Sequence, residues 1–370
     1  MSSPSNNCPT PRRPTETQRA KMVSAIGQPL PPAEEQLLLI REFESTPTPY
    51  TNLLEFFDAV PKFLQTPTTN RTAGTQLEVA RFGFVWHDSQ CESIIAPVVI
   101  DTLEKDGSRG RKEVLPGPRE QTIYRVVRKM ASDPTVPKRV KGDDVVVATT
   151  FYQIRTRLAE TGHELRIADI REALQVLATA KLKVFNLDAK KELFSDSYLK
   201  LTYLSDVGDS TGERSRVEIG FNRLAMTAII NGLYDRIDYG RLMGLNPLAA
   251  WIYELLTRAF RQAGADHGYT LSLSRVMRES GLPVRKELRT NLRYVRAAIG
   301  ELKTQGVLQA FPPTREDLEY GPPTRGRRSI ADVRWTLYPS DAVIKDIRVD
   351  NASKRDRVQH CLELGDAGIT

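Results

Sequence analysis

The chain has 370 residues, 40% of them hydrophobic and 27% charged, the balance of a folded, water-facing protein rather than a disordered or membrane-embedded one. Lysine and arginine outnumber aspartate and glutamate by 53 to 46, and the resulting net charge of +7 favours a polyanionic partner. The three cysteines (Cys8, Cys91, Cys361) lie far apart and suggest neither a disulfide framework nor a zinc site, and the longest apolar run, Ser93 to Ile100, is far too short to span a bilayer. With a polar, proline-rich start and no secretory signal, the expected location is the cytoplasm.

Residues 1 to about 32 are rich in Ser, Pro and Thr and read as a disordered arm. Two short apolar-periodic segments follow, EEQLLLIREFES and YTNLLEFFDAVPKFLQ, separated by the breaker TPTP. After the polar stretch TPTTNRTAGT, the strand-like LEVARFGFVW opens the first expected domain. Residues 1–75 are therefore taken as an N-terminal extension, partly disordered with short helices.

The chain then repeats itself. IREALQVLATAKL (Ile170 to Leu182) and VRAAIGELKTQGV (Val295 to Val307) share one pattern at an offset of 125 residues. At the same offset Ile123, Val126, Val127 and Met130 match Leu248, Trp251, Ile252 and Leu255. Each copy reads as helix, short strand, helix, helix and two-stranded hairpin. In the second copy Asn246 is the expected N-cap with Pro247 at the first helical position. YTLSL is its short strand, SRVMRES its second helix, and VLQAF and IADVRWTLY its hairpin, around a long proline-rich loop. That order is a winged helix, and the expected fold is α+β, mainly helical: two tandem winged-helix domains at 76–231 and 232–345, then a tail at 346–370.

The third helix of the second copy carries the most specific signal. Its apolar residues Val284, Leu288, Leu292, Val295, Ile299 and Leu302 fall on one stripe. Arg285, Lys286, Arg289, Arg293 and Arg296 fall on a second arc, centred about 100° around the helix. Glu287 and Glu301 lie away from that arc, whereas an ordinary solvated helix intersperses the two signs. The arrangement fits a helix with one edge docked and the next offered to DNA; an ordinary basic surface helix is the alternative. Arg285 and Arg289, near the helix start, are placed to reach base edges, and Arg293 and Arg296 to hold phosphates. In the wing loop, Arg325, Arg327 and Arg328 suit either a minor groove or the backbone, or simply solvent. The corresponding helix of the first copy mixes Arg166 and Arg171 with Asp169 and Glu172, which argues for weaker DNA contact and a role in self-association.

Over roughly residues 76 to 340, this order resembles the initiator proteins of iteron-containing plasmids. The resemblance rests on DDVVVATTFYQIRTRLAETGHELRIADIREALQVL and IDYGRLMGLNPLAAWIYELLTRAF as well as on element order. It implies a second module that reads origin repeats, and a first module that mediates dimerisation and auxiliary DNA contact. It also implies a homodimer in equilibrium with monomer, and host partners in the initiator ATPase and the replicative helicase. Gln36, Leu37, Leu39 and Ile40, within QLLLI, are similar to the pentapeptide that enters the cleft of the bacterial sliding clamp. The alternative for that segment is an amphipathic helix packed on the first module.

Enzymatic readings find little support. The sequence has no G-x-x-x-x-G-K-(S/T) phosphate loop. Its four histidines (His87, His163, His267, His360) stand without a second ligand nearby, and the adjacent pairs Asp143-Asp144 and Glu34-Glu35 make poor two-metal sites. Neither a catalytic residue, a metal nor a cofactor is expected. A winged-helix transcriptional repressor without a replication role is the competing function.

Overall fold

The computed structural model describes residues 30, 32, 33, 36, 37, 39, 40, 49–70, 77–86, 88–103, 109–142, 144–204, 215–259, 268–283, 287–311, 313–321 and 330–367. Among them run nine continuous helices and sixteen strands in five antiparallel sheets, so sheet counts for more than the mainly helical expectation allowed.

Two apolar cores organise the chain. The first surrounds α1 (Pro118–Ala131), which buries Ile123, Tyr124, Val126, Val127 and Met130. The second surrounds α6 (Pro247–Ala259), which buries Trp251, Ile252, Leu255 and Leu256. The helices that pack on them, α3 (Ile167–Thr179) and α8 (Leu288–Thr304), correspond residue by residue. Ile170 and Val295, Ala173 and Ala298, Leu174 and Ile299, and Leu177 and Leu302 are buried pairs at the 125-residue offset. The sequence repeat is thus a repeat of core positions.

Connectivity repeats as well. The first half runs α1, β8 (Asp144–Thr150), α2 (Phe151–Ala159), α3, β11 (Leu199–Leu204) and β12 (Arg216–Phe221). The second runs α6, β14 (Tyr269–Ser272), α7 (Leu273–Glu279), α8, β15 (Arg315–Tyr320) and β16 (Ile330–Leu337). In both, the last strand lies between the other two: β11-β12-β8 in one sheet, extended by β7 (Lys138–Lys141), and β14-β16-β15 in the other. That is winged-helix connectivity. Both first strands run straight into a helix through a hydroxyl cap. The Gln153 amide donates to Thr150 Oγ1 at 3.2 Å, and the Arg275 amide to Ser272 Oγ at 3.2 Å.

The halves differ by an insertion. Between α3 and β11 the first half adds a hairpin, β9 (Lys181–Asn186) and β10 (Lys191–Ser197), which joins β3 (Ala80–Trp86) and β4 (Ser89–Ile95) in a separate sheet. Another sheet gathers β2 (Thr68–Asn70), β5 (Val98–Leu103) and β6 (Arg109–Leu115). In the second half the stretch expected as a strand, VLQAF, makes only an isolated bridge from Leu308 to Pro339. The wing strand is instead REDLEY, Arg315–Tyr320, within the stretch expected as loop. Opposite the buried Trp335 stands an exposed glutamate, Glu316, so the apolar alternation that marks a half-buried strand is broken there.

Both ends of the chain are more structured than expected. β1 (Tyr50–Leu54) pairs with β13 (Tyr234–Asp238), and Phe56, Phe57, Val60 and Phe63 complete the first core. The folded part therefore does not begin at residue 76, because Leu53 and Leu54 are fully buried. At the other end, the expected tail belongs to a helix, α9 (Asp341–Ala367), docked through Val343, Ile344 and Ile347. Asp346 accepts from the Tyr50 hydroxyl at 2.9 Å, and Lys354 lies 2.7 Å from Asp235 and 3.5 Å from Glu55. Between β12 and α6, the connecting helices α4 (Arg223–Ile230) and α5 (Tyr239–Gly244) flank β13 in the chain.

Where α1 meets α6, the contact is ionic and buried. Arg125 lies 3.1 Å from Glu254, and Arg128 lies 2.6 Å from Asp58, which also takes Lys62 at 3.1 Å and the Leu54 amide at 2.6 Å. Burial by itself would raise the Asp58 carboxyl; Arg128 and Lys62, with the Leu54 amide, outweigh it and hold the group below its usual 3.8. A folded-state value below the unfolded one stabilises the protein above the ordinary carboxylate range, and this contribution is lost as pH falls through the folded value. Asp58→Asn strands Arg128 and Lys62 in the interior and is expected to cost about 3–5 kcal/mol at neutral pH. Urea unfolding at neutral and acid pH checks this: the deficit should shrink in acid, and a deficit independent of pH contradicts the charge assignment.

Candidate nucleic-acid interface

The approach to α8 is fixed by a glycine. Gly281 has φ of +76°, and a Cβ there would sit 2.1 Å from the Phe63 carbonyl oxygen. The Gln65 amide donates to the Gly281 carbonyl at 3.0 Å, and Gln65 Nε2 to the Ser280 carbonyl at 2.5 Å. The turn before α8 is thereby tied to the segment that also carries Asp58 and Lys62. The helix itself starts at Leu288, with Glu287 as N-cap, later than Val284, where the expected stripe begins. Val284, Arg285 and Lys286 lie outside the described residues, as do Arg325, Arg327 and Arg328 of the wing loop.

Leu292, Val295, Ile299 and Leu302 bury the expected stripe, together with Asn291 and Ala298. On the solvent side Arg289 and Arg293 are exposed, and the Arg293 guanidinium lies 5.8 Å from the Tyr294 ring centre. Neither has a carboxylate partner among the described residues. Ala297 and Gly300 are also exposed on this side, so the surface between and beyond the arginines is low. A groove wall or sugar edge can approach the helix backbone there.

The segregation of the acids has a physical cause. Glu301 accepts from the Asn246 amide at 2.7 Å and from Asn246 Nδ2, while Asn246 Oδ1 caps α6 by accepting from the Ala249 amide at 2.9 Å. The Glu287 carboxylate accepts from the Thr290 hydroxyl at 3.3 Å. Both acids are engaged locally, away from the basic face.

Arg296, expected to hold phosphate, is paired within the protein. It makes a two-pronged contact with Glu316 on β15, at 3.0 and 2.5 Å, and Glu316 also accepts from Trp335 Nε1 at 3.0 Å. The Arg296 hydrogen bonds hold the Glu316 carboxyl below its usual range, burial opposes this, and the Trp335 bond reinforces it. The strands of the wing are otherwise charge-balanced: Arg315 pairs with Asp317 at 2.8 Å and Arg334 with Glu319 at 2.6 Å.

The equivalent helix of the first half, α3, presents no one-signed face. Arg166 pairs with Asp169 at 2.8 Å, Glu172 lies 2.6 Å from both Lys112 and Arg119, and Arg171 sits 5.1 Å over the Phe151 ring. At the N-terminal segment, Gln36, Leu39 and Ile40 are 1%, 4% and 6% exposed, with the two apolar residues in the first core and Leu37 packed against it. In this conformation the segment is a piece of core rather than an open ligand for a sliding clamp; Leu38 lies outside the described residues. The His163 ring is engaged structurally, with Nε2 3.0 Å from the Met243 carbonyl. Among the described residues no group of three His, Cys, Asp or Glu side chains could hold a metal, and no helix is long and apolar enough to cross a membrane.

No family model matches the chain, and no curated protein matches it. Two crystal structures of RctB are loosely similar. One, of selenomethionine domains 2 and 3, has 11% identity and a TM-score of 0.43, covering 78% of this chain and 98% of that one. The other, of RctB residues 155–483, has 11% identity and a TM-score of 0.38, covering 74% of this chain and 95% of that one.

If the exposed face of α8 meets DNA, base reading and phosphate holding should separate along it. On a site the protein selects from a randomised duplex pool, Arg289→Ala is expected to cost roughly 1–3 kcal/mol and relax preference at one base pair. Arg293→Ala should weaken selected and mixed-sequence DNA alike and lower the salt slope by about one. Leu292→Ala should instead lower folding stability by about 2–5 kcal/mol. Binding titrations and thermal unfolding distinguish the three; identical losses for both arginine variants on every duplex would mean that sequence is read elsewhere.

Proposed function

We propose that this protein is a sequence-specific double-stranded DNA-binding protein that initiates plasmid replication from origin repeats. The observation that carries the reading is the outer face of α8, where Arg289 and Arg293 stand beside the small residues Ala297 and Gly300 with no facing carboxylate among the described residues. Winged-helix connectivity supports it, because that arrangement puts the third helix of each unit where a major groove can receive it. The excess of 53 basic over 46 acidic residues supports it too, by favouring encounter with a polyanion.

In this reading the second half, built on the core around α6, reads the repeat, with Arg285, Lys286, Arg325, Arg327 and Arg328 adding contacts. The first half, built on the core around α1, holds a homodimer in equilibrium with monomer and adds auxiliary DNA contact. The ion-paired α3 face supports the division, since its charges are already spent within the protein. Strand separation requires energy, and no phosphate loop occurs in the sequence. The host initiator ATPase and replicative helicase are therefore the partners recruited to the origin, in the cytoplasm.

A genetic and a physical measurement test this together. A circle unable to replicate alone, carrying this reading frame and its flanking DNA, should persist in a host, and Arg289→Ala should abolish persistence. Binding of the purified protein to mixed-sequence duplex should weaken steeply with salt as counterions are released. A log–log salt slope near zero ends the DNA-binding reading. Steep binding without circle maintenance, but with repression of the protein's own promoter, replaces initiation by transcriptional control.

A further inference from the structure

The recognition helix carries three exposed arginines in the described region, and one of them is already occupied. Arg289 and Arg293 point to solvent, whereas Arg296 makes both prongs of its guanidinium contact with Glu316 at 3.0 and 2.5 Å. A lone surface ion pair of this kind contributes little and exchanges readily. This one is different because the carboxylate has a third partner. Trp335 Nε1 donates to Glu316 Oε2 at 3.0 Å, and Trp335 is 1% exposed in the second core. Glu316 and Trp335 are also directly opposite one another in the β15–β16 ladder, with Leu318 opposite Val333 in the same ladder. The carboxylate is held by backbone pairing on one side and by a buried indole on the other, and cannot follow Arg296 if that side chain swings away.

We propose that Glu316 is a positioning residue that withholds Arg296 from DNA phosphate and uses it to fix the wing against the recognition helix. The inference rests on the DNA-binding reading of α8 and refines it. Were Arg296 to transfer to a phosphate, Glu316 would be left as an uncompensated carboxylate facing the duplex. The exchange would set one new ion pair against a lost one plus a repulsion, so the existing pair is kept. The hydrogen bonds from Arg296 already hold the Glu316 carboxyl below its usual range, so it stays ionised throughout neutral pH. The consequence is selectivity. Phosphate attraction, which is blind to sequence, is restrained at this point on the helix, while the spacing between helix and wing is fixed to suit one groove geometry.

The test uses the full-length chain and a mixed-sequence DNA duplex as probe, with affinity measured across a range of salt. Glu316→Gln keeps an acceptor for Trp335 Nε1 and removes the charge that restrains Arg296. It should tighten binding to mixed-sequence DNA severalfold and steepen the log–log salt slope by about one, as one more cation reaches phosphate. Arg296→Ala combined with Glu316→Gln removes both charges and should return the slope to the wild-type value. The proposal is overturned if Glu316→Gln leaves the slope unchanged, or if the double variant falls below wild type by about one, since Arg296 would then already hold phosphate in the wild type. Circular dichroism of each variant confirms that the fold is retained. Failure of the underlying reading shows separately: a wild-type slope near zero removes DNA binding itself, and this proposal with it.

Discussion

Asp58 and Glu254 are carboxylates in the interior, and the placement of α8 depends on what they hold. Glu254, on the first helix of the second half, takes Arg125 from the first helix of the first half; Asp58 takes Arg128 from that same helix. Burying ions costs several kcal/mol for each, so an apolar seam of similar shape would be no less stable. What the charges add is register, because any slip between α1 and α6 leaves an ion unpaired in a low-dielectric interior. The constraint then passes along the chain. Asp58 and Lys62 fix the segment that ends at Phe63 and Gln65, and those residues grip Ser280 and Gly281, the turn that launches α8. Helix α8 is thus positioned by both its own core and the other half of the molecule.

The same economy governs the surface charges. Each acidic residue near the basic face is engaged elsewhere: Glu301 in capping α6, Glu316 between Arg296 and Trp335, and Glu319 with Arg334. The positive charge on the described part of α8 that has no carboxylate partner among the described residues lies at Arg289, Arg293 and, in the last turn, Lys303. On α3, built on the same core positions, the acids are paired with the helix's own arginine or its neighbours' cations, and the face is neutralised. Two copies of one framework therefore present opposite chemical faces, and the difference lies in a few exposed residues that leave packing untouched.

Much of the framework was legible in the sequence because it depends on periodic burial. The stripe from Leu292 to Leu302, the cap at Asn246 and the duplication at 125 residues all follow from positions where one apolar or capping residue satisfies a local rule. What escaped depends on contacts between distant segments. Residues 50–65 read as an amphipathic segment, yet they form a strand and a buried turn because β13, nearly two hundred residues later, supplies their partner. REDLEY lacks a strand's apolar alternation because an exposed glutamate, Glu316, stands opposite the buried Trp335, and its partners Trp335 and Arg296 come from other segments. QLLLI is similar to a clamp-binding pentapeptide, with packing on the first module as the alternative, and its Leu39 and Ile40 lie in the first core. Helical spacing puts Arg296 on the basic arc but carries no information about Glu316, which comes from a strand further along the chain.

The central claim, that the outer face of α8 meets DNA and the matching face of α3 does not do so in the same way, is tested most directly by proximity. Ala297 is exposed beside Arg293 on α8, and Gln175 is exposed on α3 at the position equivalent to Gly300. A photoreactive side chain placed at either site, in the full-length protein bound to the duplex it selects, reports which helix lies in the groove. The account expects efficient cross-links to bases from position 297 and little or none from position 175. Cross-linking from position 175 with none from position 297 would contradict it, and would move sequence reading to the first half of the chain.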